Sequence, residues 1–187
     1  ICWPKSENMG VIRLNVCSDG NIAKWRARGI LDSNQDGLRD VITFRIQDTV
    51  GVGPEIIDSI RMGIQSWNVS QVYALEEVAM GEDVTVLLVD SVYAGDDGVV
   101  GLASTICGVN GIEKAVARID VTRENLQYVQ NVAAHEIGHV LGLGHSTIGN
   151  DIMSPIMSKI GAKEKVVFPE QRHFEALRAE RAPFIPA

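Results

Sequence analysis

The stretch from His135 to His145 constrains this chain more than any other. It reads His-Glu-Ile-Gly-His-Val-Leu-Gly-Leu-Gly-His and holds three of the four histidines in the chain. On a helix, His135 and His139 lie one turn apart on one face, where two imidazoles can share a metal ion. Gly142 permits a left-handed turn that ends the helix and brings His145 to the same ion. We therefore predict a catalytic zinc, held by three neutral nitrogens and keeping one open position.

Glu136 follows the first of these histidines and lies about 100° around the helix axis from it. That places a carboxylate beside the metal, where it can accept a proton from a metal-bound water. The alternative is a core helix that carries incidental histidines. Three histidines at ligand spacing within eleven residues disfavour it. The pattern predicts a hydrolytic site with Glu136 as general base.

The charge of the chain is negative and unevenly distributed. The net charge is −7, and residues 41–158 hold 5 Lys and Arg against 15 Asp and Glu, a net of −10. This balance disfavours nucleic acid and suits metal cations and basic or neutral peptides, although solubility alone explains part of it. No stretch approaches 18 uninterrupted apolar residues, so we expect no membrane span. We expect a monomer.

A second metal site is indicated by the stretch Asp-Ser-Asn-Gln-Asp-Gly-Leu-Arg-Asp at residues 32–40. Oxygen side chains at positions 1, 3 and 5 with glycine at position 6 follow the first half of an EF-hand calcium loop. The final acid falls at position 9, as in the short calcium loops of dockerin-like repeats, which this stretch resembles. A polar turn is the alternative. The predicted ligands are the side chains of Asp32, Asn34, Asp36 and Asp40 and the carbonyl of Leu38. Asp96 and Asp97 leave open a second calcium site.

Three cysteines, Cys2, Cys17 and Cys107, leave at least one thiol outside any internal pair. A bridge from Cys17 to either of the other two is compatible with the sequence. A disulfide fits the secreted or otherwise extracytoplasmic location that we expect. With that location we expect a leader that has been removed or is not included in the sequence, which begins at Ile1 and shows no signal peptide. A further hypothesis is that a Cys2 thiolate occupies the open zinc position and keeps the site latent.

Hydrophobic periodicity predicts strands that alternate with helices. The helix at residues 54–69 would bury Trp67, and Thr122 is the predicted N-cap of the helix that carries the first two histidines. In the last helix, Phe174 and Leu177 would face inward and His173 would be solvated. The strand at 84–89 would be central and parallel. Strands are predicted at residues 11–16, 41–46, 84–89, 101–105 and 116–121, and the last helix at 169–181.

These features together resemble the metzincins, and within them the catalytic domain of the matrixins. His145 is followed by Ser146, and Met153 stands in an Ile-Met-Ser-Pro setting similar to the Met-turn of that family. The Lys24-Trp25 pair and the strand Val41–Ile46 also match, and the resemblance covers about residues 24–181. It implies an α+β zincin fold, with a twisted, mixed, mostly parallel sheet and about three helices. A cleft would separate a larger N-terminal from a smaller C-terminal subdomain.

The resemblance also implies how the chain is organised. Residues 1–187 would form a single catalytic domain. Residues 1–23 would be an N-terminal extension, 24–145 the upper subdomain with the sheet and active-site helix, and 146–187 the lower subdomain with the Met-turn and C-terminal helix. Ser104 stands where matrixins often have a histidine of a second zinc site, so we expect one zinc, with calcium supplying rigidity instead.

The implied activity is a zinc-dependent endopeptidase that cleaves extended protein or peptide substrates through a zinc-bound water and Glu136. Met153 would form a hydrophobic floor under the zinc ligands. Leu102 and Ala103 would be the edge strand that pairs with substrate. Two other readings remain open: a catalytically silent module and a calcium-dependent binding module on the same fold. The apolar pocket for the side chain after the scissile bond would be lined by Val132, Pro155 and Ile156.

Overall fold

The structure, a computed structural model, describes most of the chain. The described residues are 12–17, 23–26, 38–70, 72–93, 98–109, 111–122, 125–155 and 165–178. Several residues named above lie outside them: Cys2, Asp32, Asn34, Asp36, Asp96, Asp97 and Ile156.

A five-stranded sheet forms the framework of the part of the chain that the structure describes. Its strands are β2 (Val41–Asp48), β3 (Ala74–Glu77), β4 (Val84–Val89), β5 (Gly101–Gly108) and β6 (Gly111–Asp120). Strand β4 alternates buried and half-buried residues because successive side chains point to opposite faces of the sheet, and β2 and β6 flank it on its two edges. The order is β3-β2-β4-β6-β5, with β2, β3, β4 and β6 parallel and β5 antiparallel to β6 at one edge. The predicted central, parallel strand is therefore confirmed.

Within the described residues, three helices complete the predicted α+β fold, which the structure confirms. Helix α1 (Pro54–Gln65) begins with proline at its first turn, where the missing N–H costs no hydrogen bond. A 3-10 helix follows it (Ser66–Ser70). Helix α2 (Leu126–Val140) packs on β5, β6 and α1, and α3 is Gln171–Arg178. At Gly63 a Cβ would collide with the Gln130 carbonyl, so this glycine lets α1 and α2 approach closely.

Strand β1 (Ile12–Leu14) belongs to a separate two-stranded sheet. It pairs antiparallel with β7 (Leu143–Ser146), with Ile12 opposite Ser146 and Leu14 opposite Leu143. Because β7 carries His145, this small sheet joins the N-terminal segment, which the structure describes at residues 12–17 and 23–26, to the histidine stretch. A disulfide between Cys17 and Cys107 also ties the segment to β5, which resolves the two pairings that the sequence left open.

The predicted N-cap of α2 is wrong. Asn125 caps the helix, since its side chain accepts a hydrogen bond from the Tyr128 N–H at 2.9 Å. Thr122 lies too far before the helix, and its hydroxyl instead donates to Asp120 at 2.6 Å. Trp67 is buried as predicted, and its Nε1 donates to the Ala134 carbonyl at 2.9 Å. No helix among the described residues is long and apolar enough to cross a membrane.

Candidate metal centre

The structure brings the three predicted histidines together at the C-terminal end of α2. One ligand atom from each of His135, His139 and His145 lies within 4.8 Å of the others. Their exposure increases along the chain: His135 is buried, His139 is half-buried and His145 is exposed. The cluster therefore has a closed side toward the core and an open side toward solvent.

The two histidines on α2 each direct one ring nitrogen at a backbone carbonyl. His135 Nδ1 lies 2.6 Å from the Ile152 carbonyl oxygen, and His139 Nδ1 lies 2.7 Å from that of Leu143. Because a carbonyl only accepts, each Nδ1 must carry the proton and donate it. Each Nε2 is then a lone pair available to a metal.

The arrangement of the two Nε2 atoms fits a bound cation. They lie 3.0 Å apart, and neither carries a hydrogen in this tautomer, so they cannot bond to each other. Their two lone pairs repel each other, and a cation between them and His145 would remove this repulsion by binding both. Neutral imidazoles in a set of three, with access from one side, are the donors of a catalytic zinc site.

The electrostatic surroundings keep the buried imidazoles neutral. Burial, together with the neighbouring His139 and His145, lowers the pKa of His135 to about 3, against the opposing hydrogen bond to Ile152. Burial likewise lowers the pKa of His139 to about 4, against the opposing hydrogen bond to Leu143. Both groups are therefore in the unprotonated form that binds a metal at neutral pH.

Glu136 lies beside the cluster and beneath β5. It is 5% exposed, and burial raises the pKa of its carboxyl to about 8, while a hydrogen bond from the Ala103 N–H opposes this. A Cβ at Gly101 would collide with the Glu136 carboxylate, so only glycine permits this approach. A nearby cation would favour the ionised carboxylate. The residue is placed to hold a proton at the edge of the metal centre.

A cleft of about 590 Å³ opens over the histidines. Leu102, Ala103 and Pro155, which the sequence assigned to substrate binding, all line it. Val132 is instead 1% exposed in the core and is not among the described residues that line the cleft. Tyr128, one turn earlier on the same helix, lines it. Sequence reasoning missed Tyr128, although its seven-residue spacing from His135 places both on one helix face.

Met153 is fully buried and packs against α2 next to the histidines. A Cβ at Gly138 would collide with the Met153 thioether and the Trp67 ring, so the absence of a side chain there admits both. The Met153 carbonyl accepts the Ser146 N–H at 2.8 Å, which links this turn to the strand that carries His145.

The turn that contains Met153 is held by α3, and the predicted solvated position of His173 is wrong. His173 is fully buried, and its Nε2 donates to Asp151 Oδ1 at 2.5 Å, while its Nδ1 accepts the Glu170 N–H. Arg172 Nε lies 3.2 Å from Asp151 Oδ2, near enough for an ion pair but not aligned for a hydrogen bond. Burial acts to raise the pKa of Asp151, but hydrogen bonds, chiefly from His173 and the Met153 N–H, bring it below its usual value. No pattern in the sequence identified Asp151 as the hydrogen-bond partner of His173.

The structure describes two of the five predicted calcium ligands, Leu38 and Asp40. Leu38 is buried and forms an isolated antiparallel bridge with Arg26, and the Asp40 carbonyl accepts the Ala74 N–H at 2.8 Å. Asp32, Asn34 and Asp36 lie outside the described residues, so calcium binding remains a prediction.

Comparison with known proteins gives two findings. The profile of the peptidase M10 family described as matrixin matches residues 41–172, which include all three histidines. Among solved structures, the archaemetzincin of Methanopyrus kandleri is similar, with a TM-score of 0.54 over 74% of this chain and 94% of that chain. The two are 18% identical, so that likeness establishes the fold alone. A search of curated proteins finds no match.

Proposed function

Because this chain belongs to the matrixin family of metallopeptidases, we propose that it is a zinc-dependent endopeptidase acting on extended protein or peptide substrates. One observation carries the proposal. His135 and His139 direct two unprotonated Nε2 atoms toward each other at 3.0 Å, and His145 lies within reach of the same point. Such a set of three imidazoles open to solvent on one side is typical of catalytic zinc.

The three histidines would hold the metal, one ring nitrogen each. When bound, zinc supplies a Lewis acid that polarises the scissile carbonyl and makes water acidic near neutral pH. Glu136 accepts the proton of the attacking water as the new carbon–oxygen bond forms. The same carboxyl then passes that proton to the amine nitrogen as the carbon–nitrogen bond breaks. The protein forms no covalent bond with the substrate.

Strand β5 is the proposed support for the substrate. It lies at the edge of the sheet and, among the described residues, pairs only with β6. An extended peptide can add to such an edge through main-chain hydrogen bonds. The Ala103 N–H, which bonds to Glu136, faces the cleft and holds the general base beside that peptide. Met153, packed behind Gly138, would keep the helix and its two histidines in place from below.

The location and calcium content belong to the same proposal. The Cys17–Cys107 disulfide supports an extracytoplasmic site of action, because such bonds persist in oxidising compartments. Calcium at Asp32, Asn34, Asp36, Leu38 and Asp40 would then be available at extracellular concentrations. The negative net charge of −7 favours peptides over nucleic acid as partners.

The direct test is Glu136→Gln, which keeps the shape of the side chain and removes its basicity. We expect the variant to retain one zinc per chain and to lose peptide cleavage by at least about 100-fold, the scale of general-base catalysis. Zinc content and turnover of a quenched fluorescent peptide would be measured on the same sample. Wild-type turnover in the zinc-loaded variant would refute the assignment.

A further inference from the structure

The N-terminal segment, which lies outside the matched residues 41–172, bonds to the end of the histidine helix. The last carbonyls of a helix have no partner within it. Here two residues of the segment supply donors. Trp25 Nε1 donates to the Val140 carbonyl at 2.9 Å, and the Asn15 N–H donates to the Gly142 carbonyl at 2.8 Å. The turn that leads from His139 to His145 is therefore capped by a distant part of the chain.

Asn15 also makes a contact that bears directly on the metal centre. Its Nδ2 donates to the Leu143 carbonyl at 3.0 Å. That carbonyl is the one that accepts from His139 Nδ1 at 2.7 Å. A carbonyl oxygen has two lone pairs, so the two donors can occupy both and fix its direction. Asn15 thus holds the group that sets the tautomer and orientation of His139.

The turn at Gly142 packs closely against the residues that bind Asn15. Gly142 has a φ of +112°, and a Cβ there would collide with the Ala23 carbonyl oxygen. The Ala23 N–H in turn donates to the Asn15 carbonyl at 2.9 Å. Asn15 is therefore bound at its N–H, its carbonyl and its side chain, and the turn fits closely against it.

A covalent link holds the segment in this place. Cys17, two residues after Asn15, is bonded to Cys107 on β5, the strand whose Ala103 bonds to Glu136. Strand β1, just before Asn15, pairs with β7, which carries His145. The N-terminal segment is thus attached to the strand of the third histidine and to the strand beside the general base.

We propose that Asn15 is a positioning residue of the metal centre, which acts through the Leu143 carbonyl on His139 and makes the N-terminal segment part of the site. The proposal rests on the proposed function, since it requires zinc at the three histidines. Residues that orient a metal-ligating histidine in this way change metal affinity by about 10- to 100-fold when they are removed. We expect a loss in that range.

The test is the zinc affinity of the chain of residues 1–187. Asn15→Leu keeps the branching of the side chain at Cγ but cannot donate a hydrogen bond, and the smaller Asn15→Ala serves as a second variant if Leu does not fold. The dissociation constant for zinc would be measured by competition with a chromophoric chelator, and the stability of the metal-free protein by urea denaturation. We expect zinc to bind about 10-fold or more weakly in either variant.

The matched control is Asn68→Leu. Asn68 makes two side-chain bonds to Leu75 on β3, at 3.1 and 2.7 Å, at the sheet edge opposite β5. Its loss should lower stability and leave zinc affinity unchanged. If Asn15→Leu lowers stability like the control and binds zinc as tightly as the unaltered chain, the positioning role is refuted. If the unaltered chain binds no zinc, the proposed function fails and this inference fails with it.

Discussion

The two histidines of α2 are oriented in the same way, but different parts of the molecule hold the orienting groups. His135 donates to the Ile152 carbonyl, in a turn fixed by the buried contact between Asp151 and His173. His139 donates to the Leu143 carbonyl, in a turn fixed by Asn15, which is 128 residues away in sequence. The first support, the contact between Asp151 and His173, contains a carboxylate and is wholly buried. The second support, the N-terminal segment with Asn15, makes a neutral contact that is partly exposed.

This difference in burial explains why the second support, the N-terminal segment that carries Asn15, is also held by a disulfide. Among the described residues, strand β1 has three residues and one partner strand, and a two-stranded sheet of that size is marginal in water. The Cys17–Cys107 bond attaches it permanently to β5. The first support needs no such bond because α3 buries His173, Phe174 and Leu177 against the core. The group that orients His139 is thus secured by a covalent bond, and the group that orients His135 is secured by the packing of α3.

The largest expected effect comes from removing the disulfide. The bonded cysteines are 90 residues apart, so the cross-link restricts the unfolded chain strongly. We expect Cys17→Ser with Cys107→Ser to lower the free energy of unfolding by about 4 kcal/mol. Urea denaturation measures it, with Cys2→Ser as the matched control because Cys2 has no part in this bond. A change of less than about 1 kcal/mol would mean that the disulfide does not secure the N-terminal support.

Next in size is the loss of His173 from the other support. His173→Ala leaves the fully buried Asp151 carboxylate without its closest hydrogen bond. Breaking a buried charged contact costs about 3 kcal/mol, and the nearby Arg172 compensates in part. Thermal or urea unfolding measures the loss. Gln171→Ala, an exposed change on the same helix, should alter stability by less than about 0.5 kcal/mol. Equal stabilities of the two variants would contradict the role of this contact.

The smallest of the three effects concerns the turn at Gly142. Gly142→Ala places a side chain at a φ of +112° and against the Ala23 carbonyl. We expect a loss of about 2 kcal/mol in the free energy of unfolding. Two controls separate the causes: Gly149→Ala has neither problem, and Gly81→Ala has a φ of +75° but open space. If Gly142→Ala costs no more than Gly81→Ala, close packing of the N-terminal segment against the turn contributes nothing.

The sequence predicted what depends on local spacing. The i,i+4 relation of His135 and His139 and the turn at Gly142 follow from helix geometry, and the structure has both. The order of strands could be anticipated only for the central β4. Asn15 was missed because its partner lies at Leu143, and no local pattern links positions so far apart. His173 was misread, although its four-residue spacing from the buried Leu177 put it on the inward face of α3.

We propose that three histidines at the end of α2 hold the zinc on which peptide cleavage depends, and removal of the metal tests this dependence most directly. The chain of residues 1–187 would be stripped of metal with a chelator, and cleavage of a fluorogenic peptide would be followed as zinc is added back. We predict no cleavage without metal, full recovery at one equivalent of zinc, and no recovery for His145→Ala at that concentration. Undiminished cleavage by the stripped protein, or normal recovery in the variant, would contradict the account.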